Sequence, residues 1–474
     1  MATVEKPILN VCFIGHVDSG KSTTVGNLAF QLGAIDPRKM EKLKKEAEDR
    51  GRGTFSYAYV MDMSAAERDR GITITTSLMK LETPKHMLNV IDCPGHKDFI
   101  KNMVTGAAQA DAGVVLVPCA TNEFESCISG GTLKDHIMIS GVLGCRKLIV
   151  CVNKCDTVES SKMKARFDEV RKEMLNIIAK CHPDKDPIVI PISGYNGINI
   201  VEKGEKYAWF EGWKPKANPD AEPLFTLEGA LNSQVPPPRP IDKPLRMPID
   251  SVHKIPGIGM VYTGRVSTGV IKPGMVVSVQ PTNVVAEVKT LEIHKTPRAE
   301  VVSGENCGVA LKAATKGNPA LIKPGHVMSD VKNVPITVFE AARAKVVVVE
   351  HPKGIKPGYC PVMDLGTHHV PCQISKFFSK KMQGVADEIT SPDVVSKGEN
   401  VTCIIHPQKP VVMETIKEVP SLARFALRDG GRIVGIGAID LRYTKEEFEK
   451  ECASEKGGKE GKEEAPARRR ARGG

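Results

Sequence analysis

A glycine-rich octapeptide near the N-terminus constrains this chain more than any other segment. It fits the phosphate-loop pattern G-x-x-x-x-G-K-[ST] and consists of Gly15-His16-Val17-Asp18-Ser19-Gly20-Lys21-Ser22. The apolar run at residues 8–14 predicts a buried strand before it, and residues 23–30 can continue as a helix after it. Such a strand–loop–helix unit surrounds a phosphate with backbone N–H groups and a helix N-terminus. A chance glycine-rich turn is the alternative, and it would not require this strand and helix.

Individual residues of this loop predict binding of a nucleoside triphosphate. Gly15 and Gly20 permit a tight turn and the close approach of phosphate oxygens. Lys21 is expected to reach the β- and γ-phosphates, and the Ser22 hydroxyl is expected to bind Mg²⁺. The other candidates for nucleotide contacts in this stretch are His16, Val17, Asp18, Ser19 and Thr23.

Two later segments predict sensors of the γ-phosphate. Thr73, in Arg70-Gly71-Ile72-Thr73, can complete the Mg²⁺ shell and be released on hydrolysis, although it can also begin a strand with alternating exposed hydroxyls. The apolar run at residues 87–91 predicts a strand that ends in Asp92-Cys93-Pro94-Gly95-His96. There Asp92 can hold Mg²⁺, Gly95 can offer its N–H to the γ-phosphate, and His96 is placed to orient the attacking water.

A third strand end predicts recognition of the nucleotide base. Asn153-Lys154-Cys155-Asp156 follows the apolar run at residues 147–152. The Asp156 carboxylate can accept two hydrogen bonds from guanine, whereas adenine would leave it buried and unpaired. Lys154 is expected to lie along the ring face, and Asn153 is expected to tether neighbouring loops.

One further turn completes the predicted base site. It follows the apolar run at residues 189–192 and contains Ser193, Gly194 and Tyr195, with a backbone N–H available to guanine O6. Five motifs in this order, each at a strand end, identify the nucleotide as GTP or its product GDP.

The length of 474 residues exceeds what one hydrophobic core supports and predicts about three domains. A proline-rich break at residues 236–240 marks the first boundary. Beyond it, short β-branched runs separated by Gly and Pro turns predict β-barrels. The predicted organisation is a GTP-binding domain at 1–235, barrels at 236–333 and 334–445, and a basic, disordered tail at 446–474.

Charge and cysteine content indicate the class of partner and the cellular location. The net charge of +10 and the arginine-rich tail indicate a polyanionic partner such as nucleic acid, or alternatively a solvated terminus. The thirteen cysteines form no C-x-x-C pair, which argues for reduced thiols and a cytoplasmic protein. No apolar run reaches roughly eighteen residues, so no membrane span is expected, and the first residues lack the regions of a signal peptide.

Taken together, the motifs resemble those of translational GTPases. The segment Asp98-Phe99-Ile100-Lys101-Asn102-Met103 narrows the resemblance to the eukaryotic and archaeal elongation factor 1-alpha family, and it extends to about Arg442. The resemblance implies an α/β P-loop GTPase domain with a doubly wound, mostly parallel sheet, followed by two all-β barrel domains. Tyr195 stands where the family usually has Trp, and Lys295 where a second His is common.

The resemblance also implies a function. Members deliver aminoacyl-tRNA to the ribosomal A site and hydrolyse GTP on codon recognition, with His96 and Asp18 as the expected catalytic residues and the ribosome as activator. Glu292 and His294 fall near the expected aminoacyl pocket, although they can also be outward residues of a strand. The expected partners are aminoacyl-tRNA, the ribosome and a guanine-nucleotide exchange factor of the elongation factor 1-beta type, with a monomer between partners.

Two alternatives remain open at this point. A release-factor-associated or ribosome-rescue GTPase of the same superfamily usually has a long N-terminal extension, whereas the phosphate loop here begins at Gly15. A cytoskeletal or RNA scaffold with a vestigial nucleotide site would use the basic surface, and such binding could also be a second role of a GTPase. The nucleotide motifs retain Lys21, Thr73, Asp92, His96 and Asp156, which argues against a loss of GTP binding and hydrolysis.

Overall fold

The structure is a computed structural model that describes residues 6–61, 64–294, 296–382 and 388–453. Lys295 and residues 454–474 of the predicted tail therefore lie outside the described residues. The first domain alternates strands and helices. Its strands are β1 Ile8–Gly15, β2 Ser77–Glu82, β3 Met87–Asp92, β4 Ala112–Pro118, β5 Lys147–Asn153 and β6 Ile188–Pro191. Its helices are α1 Lys21–Gln31, α2 Pro37–Asp49, α3 Ala65–Arg70, α4 Ile100–Ala108, α5 Glu123–Ile128, α6 Leu133–Leu143, α7 Ser160–Cys181 and α8 Leu227–Asn232.

These strands form one six-stranded sheet in the order β2-β3-β1-β4-β5-β6. All neighbours are parallel except β2, which pairs antiparallel with β3 at the edge. The central strands are almost wholly buried because helices cover the sheet, as their continuous apolar runs predict. Strand β1 lies between β3 and β4, so the chain changes direction there and opens a crevice at the carboxyl ends of the strands.

The second domain is a closed β-barrel. Its strands are β7 Met247–Ile255, β8 Gly259–Arg265, β9 Val270–Ile271, β10 Val276–Gln280, β11 Val284–Ile293, β12 Thr296–Pro297, β13 Val301–Val302, β14 Asn306–Leu311 and β15 Val327–Asp330. The ring β10-β15-β7-β8-β14-β11 closes because β11 pairs back onto β10, and β12 extends beyond β11. Alternating apolar side chains of these strands fill the interior, among them Tyr262 and Leu291.

The third domain closes in the same way. Its elements are β16 Ala341–Val348, β17 Val362–Leu365, β18 His368–Met382, β19 Glu388–Thr390, β20 Glu399–Pro407, β21 Arg424–Asp429, β22 Arg432–Tyr443 and the helix α9 Lys445–Ala453. The ring β17-β21-β22-β16-β20-β18 closes through pairing of β17 with β18, and β19 extends beyond β18. An α/β GTPase domain followed by two β-barrel domains is thus the fold, as predicted.

One prediction about the C-terminal segment was wrong. Residues 446–453, assigned to a disordered tail, belong to α9. The helix begins with a cap in which Glu447 accepts hydrogen bonds from the backbone N–H and hydroxyl of Thr444 at 2.8 and 2.9 Å. Phe448 packs against the third barrel beside Tyr443, and this contact stabilises the helix.

The first and second domains are in contact through a buried ion cluster around Asp111, in the turn between α4 and β4. Its carboxylate accepts hydrogen bonds from Arg239 at 2.8 and 3.0 Å and also pairs with Arg265 of β8. It further accepts bonds from the backbone and side-chain amides of Asn10 in β1 at 3.0 and 2.9 Å. Burial opposes ionisation of Asp111, but Arg265 and Arg239 outweigh it and hold its pKa at about 2.

The sheets of the three domains span residues 8–191, 247–330 and 341–443. The domain boundaries at 235/236 and 333/334 fall between these sheets and stay predictions. Among the helices of the described chain, none is long and apolar enough to cross a bilayer.

Candidate functional site

The phosphate loop joins β1 to α1 at the carboxyl edge of the sheet. Its backbone adopts left-handed conformations at Asp18 and Gly20, with φ of 58° and 88°. A Cβ on Gly15 would lie 2.5 Å from the Leu116 carbonyl oxygen, so this position requires glycine. The buried Lys21 crosses the loop, and its Nζ donates to the carbonyls of Gly15 and His16 at 3.1 and 2.7 Å. Burial lowers the pKa of Lys21.

Three oxygen-bearing side chains meet beside this lysine. The hydroxyls of Ser22 and Thr73 lie 3.0 Å apart. Asp92, at the end of β3, is fully buried, and neither carboxylate oxygen has a hydrogen-bond partner among the described residues. Burial raises the pKa of Asp92 to about 6. An orphaned buried carboxylate next to two hydroxyls is a donor set that suits Mg²⁺, which prefers oxygen ligands.

Gly95 and His96 cover the loop from the end of β3. A Cβ on Gly95 would lie 2.6 Å from Lys21 Nζ and 2.9 Å from the carbonyl carbon of His16, so the backbone passes directly over the loop. His96 is partly exposed, and its Nδ1 accepts the backbone N–H of Asp98 at 3.2 Å. This bond leaves Nε2 as the ring nitrogen that carries the proton in the neutral form.

The base-recognition segments are joined to the phosphate loop by Asn153. Its Nδ2 donates to the Ser19 carbonyl at 2.9 Å, and its Oδ1 accepts the N–H of Gly194 at 2.8 Å. Asp156 accepts a bond from Asn196 Nδ2 at 2.9 Å. Lys154 forms an ion pair with Glu123 of α5 at 2.8 Å. Asn153 therefore fixes the distance between the segments that would contact phosphate and base.

Most of the predicted phosphate and metal residues line one cavity. They are Val17, Asp18, Gly20, Lys21, Ser22, Thr23, Thr73, Gly95 and His96, and Phe55, Ala58, Gly71 and Ile72 complete the wall. His16 is turned away, with Nδ1 at 3.2 Å from the Thr132 hydroxyl. Tyr195 stays about half exposed beside Tyr57, with ring centroids 6.3 Å apart.

Sequence reasoning gave no role to Glu67 of α3, which the structure buries to 2% exposure. Its carboxylate accepts hydrogen bonds from the backbone of Ile74, from Thr75 and from Ser64. Burial opposes ionisation, yet the bonds from Thr75, Ile74 and Ser64 keep the pKa of Glu67 below its usual range. The pattern Ser-x-x-Glu, typical of a helix cap, was the signal available in the sequence.

Glu292 and His294 line a different cavity, of about 910 Å³, between the three domains. The Nε2 of His294 lies 2.9 Å from the Asn89 side-chain oxygen, so this ring also contacts the GTPase domain. Asn306 of β14 lines the same cavity, and its buried amide oxygen and nitrogen have no hydrogen-bond partner among the described residues. Sequence reasoning missed Asn306, because no motif distinguishes it from other strand residues.

Comparisons with known proteins agree with this architecture. Family profiles match in succession: the elongation factor Tu GTP binding domain at residues 6–237, elongation factor Tu domain 2 at 259–329, and the GTP-eEF1A C-terminal domain-like profile at 341–440. The chain is 50% identical over 447 residues to elongation factor 1-alpha of Encephalitozoon cuniculi, covering 94% of each chain. It is 45% identical over 441 residues to that of Serendipita indica, covering 92% of this chain and 94% of the other.

A solved structure of the GTP-bound Ski7 GTPase-like domain of S. cerevisiae has a TM-score of 0.72 at 15% identity, covering 92% of this chain and 97% of that one. At this identity the likeness shows the fold alone.

Proposed function

The chain belongs to the elongation factor 1-alpha family, and from that premise we propose that in its GTP-bound form it carries aminoacyl-tRNA to the ribosomal A site. It is a translation elongation GTPase that binds GTP and GDP. The identity of its relatives over nearly the whole chain favours this function over a release-factor-associated or ribosome-rescue role.

The observation that carries the proposal is the meeting of Ser22, Thr73 and Asp92 beside the phosphate loop. We assign these three residues to Mg²⁺, which when bound would act as a Lewis acid and neutralise charge on the phosphate oxygens. Lys21 would exchange its two carbonyl contacts for the β- and γ-phosphates. Gly95 would offer its N–H to the γ-phosphate, so that the segments ending in Thr73 and beginning at Gly95 are ordered by GTP and released by GDP.

Hydrolysis in this proposal depends on two residues at the mouth of the loop cavity. His96 would orient the attacking water, and Asp18 would support it from the loop. No arginine lines this cavity among the described residues, so the protein itself supplies no positive side chain to the transition state besides Lys21. Slow intrinsic hydrolysis follows from that composition, and membership of the family supports the ribosome as the activator.

The base site gives the nucleotide preference. Asp156 would exchange its bond with Asn196 for the N1–H and exocyclic amine of guanine, and Lys154 would cover the ring. Adenine would leave the carboxylate without a donor, and such a loss gives large discrimination. Ser193, Gly194 and Tyr195 would border the base, with a backbone N–H at guanine O6.

We assign the cavity between the three domains to the aminoacyl end of the tRNA. Glu292 and the unpaired amide of Asn306 offer polar contacts there, and His294 borders the same space. Because the walls come from all three domains, the cavity exists only in this domain arrangement. Binding of tRNA is thereby linked to the nucleotide state through the segments of the GTPase domain that end in Thr73 and begin at Gly95.

The remaining partners follow from the same proposal. A guanine-nucleotide exchange factor of the elongation factor 1-beta type would replace GDP, and the protein would be a monomer between partners. A cytoplasmic location is supported by the thirteen cysteines, none of which forms a disulfide in the part of the chain that the structure describes. Binding to cytoskeletal polymers or other RNA through the basic surface would be a second, nucleotide-independent role.

Protection of aminoacyl-tRNA from spontaneous deacylation tests the proposal. The protein is incubated with aminoacyl-tRNA and either GTP or GDP, and the ester that survives is measured over time, with excess deacylated tRNA as competitor. Protection with GTP alone would support the carrier function, and Asn306→Ala should weaken it while leaving GDP affinity unchanged. Tight GTP binding without protection by either nucleotide would overturn the carrier function.

A further inference from the structure

The segment that follows Thr73 is held by a carboxylate from outside the nucleotide motifs. Glu67 Oε1 accepts hydrogen bonds from the backbone N–H of Ile74, the backbone N–H of Thr75 and the hydroxyl of Thr75, each at 3.0 Å. Two consecutive peptide N–H groups bound to one oxygen fix the direction of the chain at that point. Thr73, one residue earlier, is therefore fixed as well.

The other carboxylate oxygen has a separate task. Glu67 Oε2 accepts the backbone N–H and the hydroxyl of Ser64 at 3.1 and 2.9 Å, which caps the start of α3. A helix cap alone needs only this second oxygen. The three bonds on Oε1 therefore have a purpose that capping does not explain.

A second residue holds the same peptide from the opposite side. Asn102 of α4 donates its Nδ2 to the carbonyl oxygen of Ile74 at 2.7 Å. Ile74 thus has its N–H bound by Glu67 and its C=O bound by Asn102. The hydroxyl of Thr73 meets that of Ser22 at 3.0 Å just beyond this fixed peptide.

We propose that Glu67 is a positioning residue for Thr73, which holds the threonine hydroxyl against Ser22 so that the pair is preorganised for Mg²⁺ and the γ-phosphate. The inference rests on the proposed function of Thr73 and adds the residue that places it. Asn102 supports the same peptide from α4. Loss of Glu67 should weaken binding of the triphosphate and spare the diphosphate, because only the triphosphate needs the segment around Thr73.

The test compares Glu67→Ala and Glu67→Gln with Ser64→Ala in the full-length protein. Ser64→Ala removes the capping hydroxyl but retains all three bonds on Glu67 Oε1, so it is the matched control. Affinities for a fluorescent non-hydrolysable GTP analogue and for fluorescent GDP are measured across a Mg²⁺ titration. In parallel, trypsin cleavage after Arg70 is followed with each nucleotide, because an ordered segment resists cleavage.

We expect Glu67→Ala to lose about tenfold or more in affinity for the GTP analogue at saturating Mg²⁺, since several charged hydrogen bonds are removed. Its GDP affinity should stay within about twofold of the parent, and the analogue should no longer protect Arg70. Glu67→Gln keeps the side-chain volume and one oxygen, so its affinity for the analogue should lie between those of the parent and Glu67→Ala. If Glu67→Ala fails to fold, Glu67→Gln takes its place in the test. Ser64→Ala should retain the parent's preference for the analogue.

Three results would overturn the inference. Equal losses for both nucleotides in Glu67→Ala, or the same losses in Ser64→Ala, would reduce Glu67 to a structural cap. Unchanged analogue affinity and unchanged protection of Arg70 in both Glu67 variants would also refute it. If the parent protein itself bound the analogue without any Mg²⁺ dependence, the proposed metal site would fail instead, so the two failures are distinguishable.

Discussion

Substitution of Asp111 by asparagine tests how strongly the buried ion cluster stabilises the protein. The variant keeps the shape of the side chain but removes the charge that faces Arg239 and Arg265. The carboxylate is almost wholly buried, and its pKa of about 2 lies below the ordinary value of 3.8. That difference, at about 1.36 kcal/mol per pKa unit, corresponds to about 2 kcal/mol of favourable interaction with the ionised form.

The total expected cost is larger than this interaction. Removing one partner of a buried ion pair leaves the other charges desolvated, and such losses run to about 3–5 kcal/mol. We expect Asp111→Asn to lower the free energy of unfolding by about 3 kcal/mol at pH 7. Because the pKa of Asp111 is lower in the folded protein than in the unfolded chain, its ionised form stabilises the fold. This contribution to the free energy of unfolding is complete above pH 3.8 and is lost as the pH falls toward 2.

Urea unfolding followed by tryptophan fluorescence is the assay. The only two tryptophans, Trp209 and Trp213, both lie in the first domain, so the signal reports the unfolding of the GTPase domain. Glu159→Gln is the control, because it breaks an exposed ion pair with Lys162 in the first domain, where the same signal reports its effect. Small-angle scattering should show an increased radius of gyration for Asp111→Asn as the second barrel separates from the first domain. A loss of stability no larger than that of the control, with an unchanged radius, would refute the reasoning.

Three further predictions address the base site, an interdomain carboxylate and the packing of α1. Asp156→Asn should weaken GDP binding about a hundredfold or more and create affinity for xanthosine diphosphate, measured by nucleotide competition; unchanged guanine preference would contradict the assignment. Burial and the Glu350 carboxylate raise the pKa of Asp135 from 3.8 to about 6, so stability is lost as the pH rises between these values. Asp135→Asn should remove this loss and be up to about 3 kcal/mol more stable than the parent at pH 7. If the free energies of unfolding of the variant and the parent changed in parallel from pH 4 to 7, this prediction would be wrong. Gly26→Ala would place a Cβ 2.0 Å from the Tyr57 carbonyl oxygen; we expect a loss of about 1–3 kcal/mol by urea unfolding, and a fully stable variant would contradict this packing.

Much of the fold was predictable because the motifs occur at strand ends. The apolar runs before Gly15, Asp92 and Asn153 became parallel strands β1, β3 and β5, whose carboxyl ends lie on one edge of the sheet. Short strands with Gly and Pro turns likewise became two barrels. The helix α9 was missed because its mixed Lys/Glu composition resembles that of a disordered tail, although Thr444 and Glu447 carry the spacing of a helix cap.

The parts of the site that escaped prediction depend on contacts between distant positions. The bond between His294 and Asn89 joins residues 205 positions apart, and no local pattern encodes it. The unpaired amide of Asn306 became apparent only when the barrel closed beside the GTPase domain. The Ser-x-x-Glu pattern at Ser64 and Glu67 predicts a helix cap, but it does not indicate that the other carboxylate oxygen of Glu67 binds the segment after Thr73.

Closure of the two barrels reduces the tendency of this chain to aggregate with other copies of itself. An open sheet ends in a row of unpaired peptide groups on which a strand of another molecule can add, the first step of edge-to-edge aggregation. In the described residues each barrel ring pairs its first strand with its last. The strands outside the rings are all short: β12 has two residues, β19 has three, and β9 and β13 form a separate pair of two residues each. Such short strands offer too little backbone for stable addition, so a movement of the barrels relative to the GTPase domain would expose no edge on which another molecule could add.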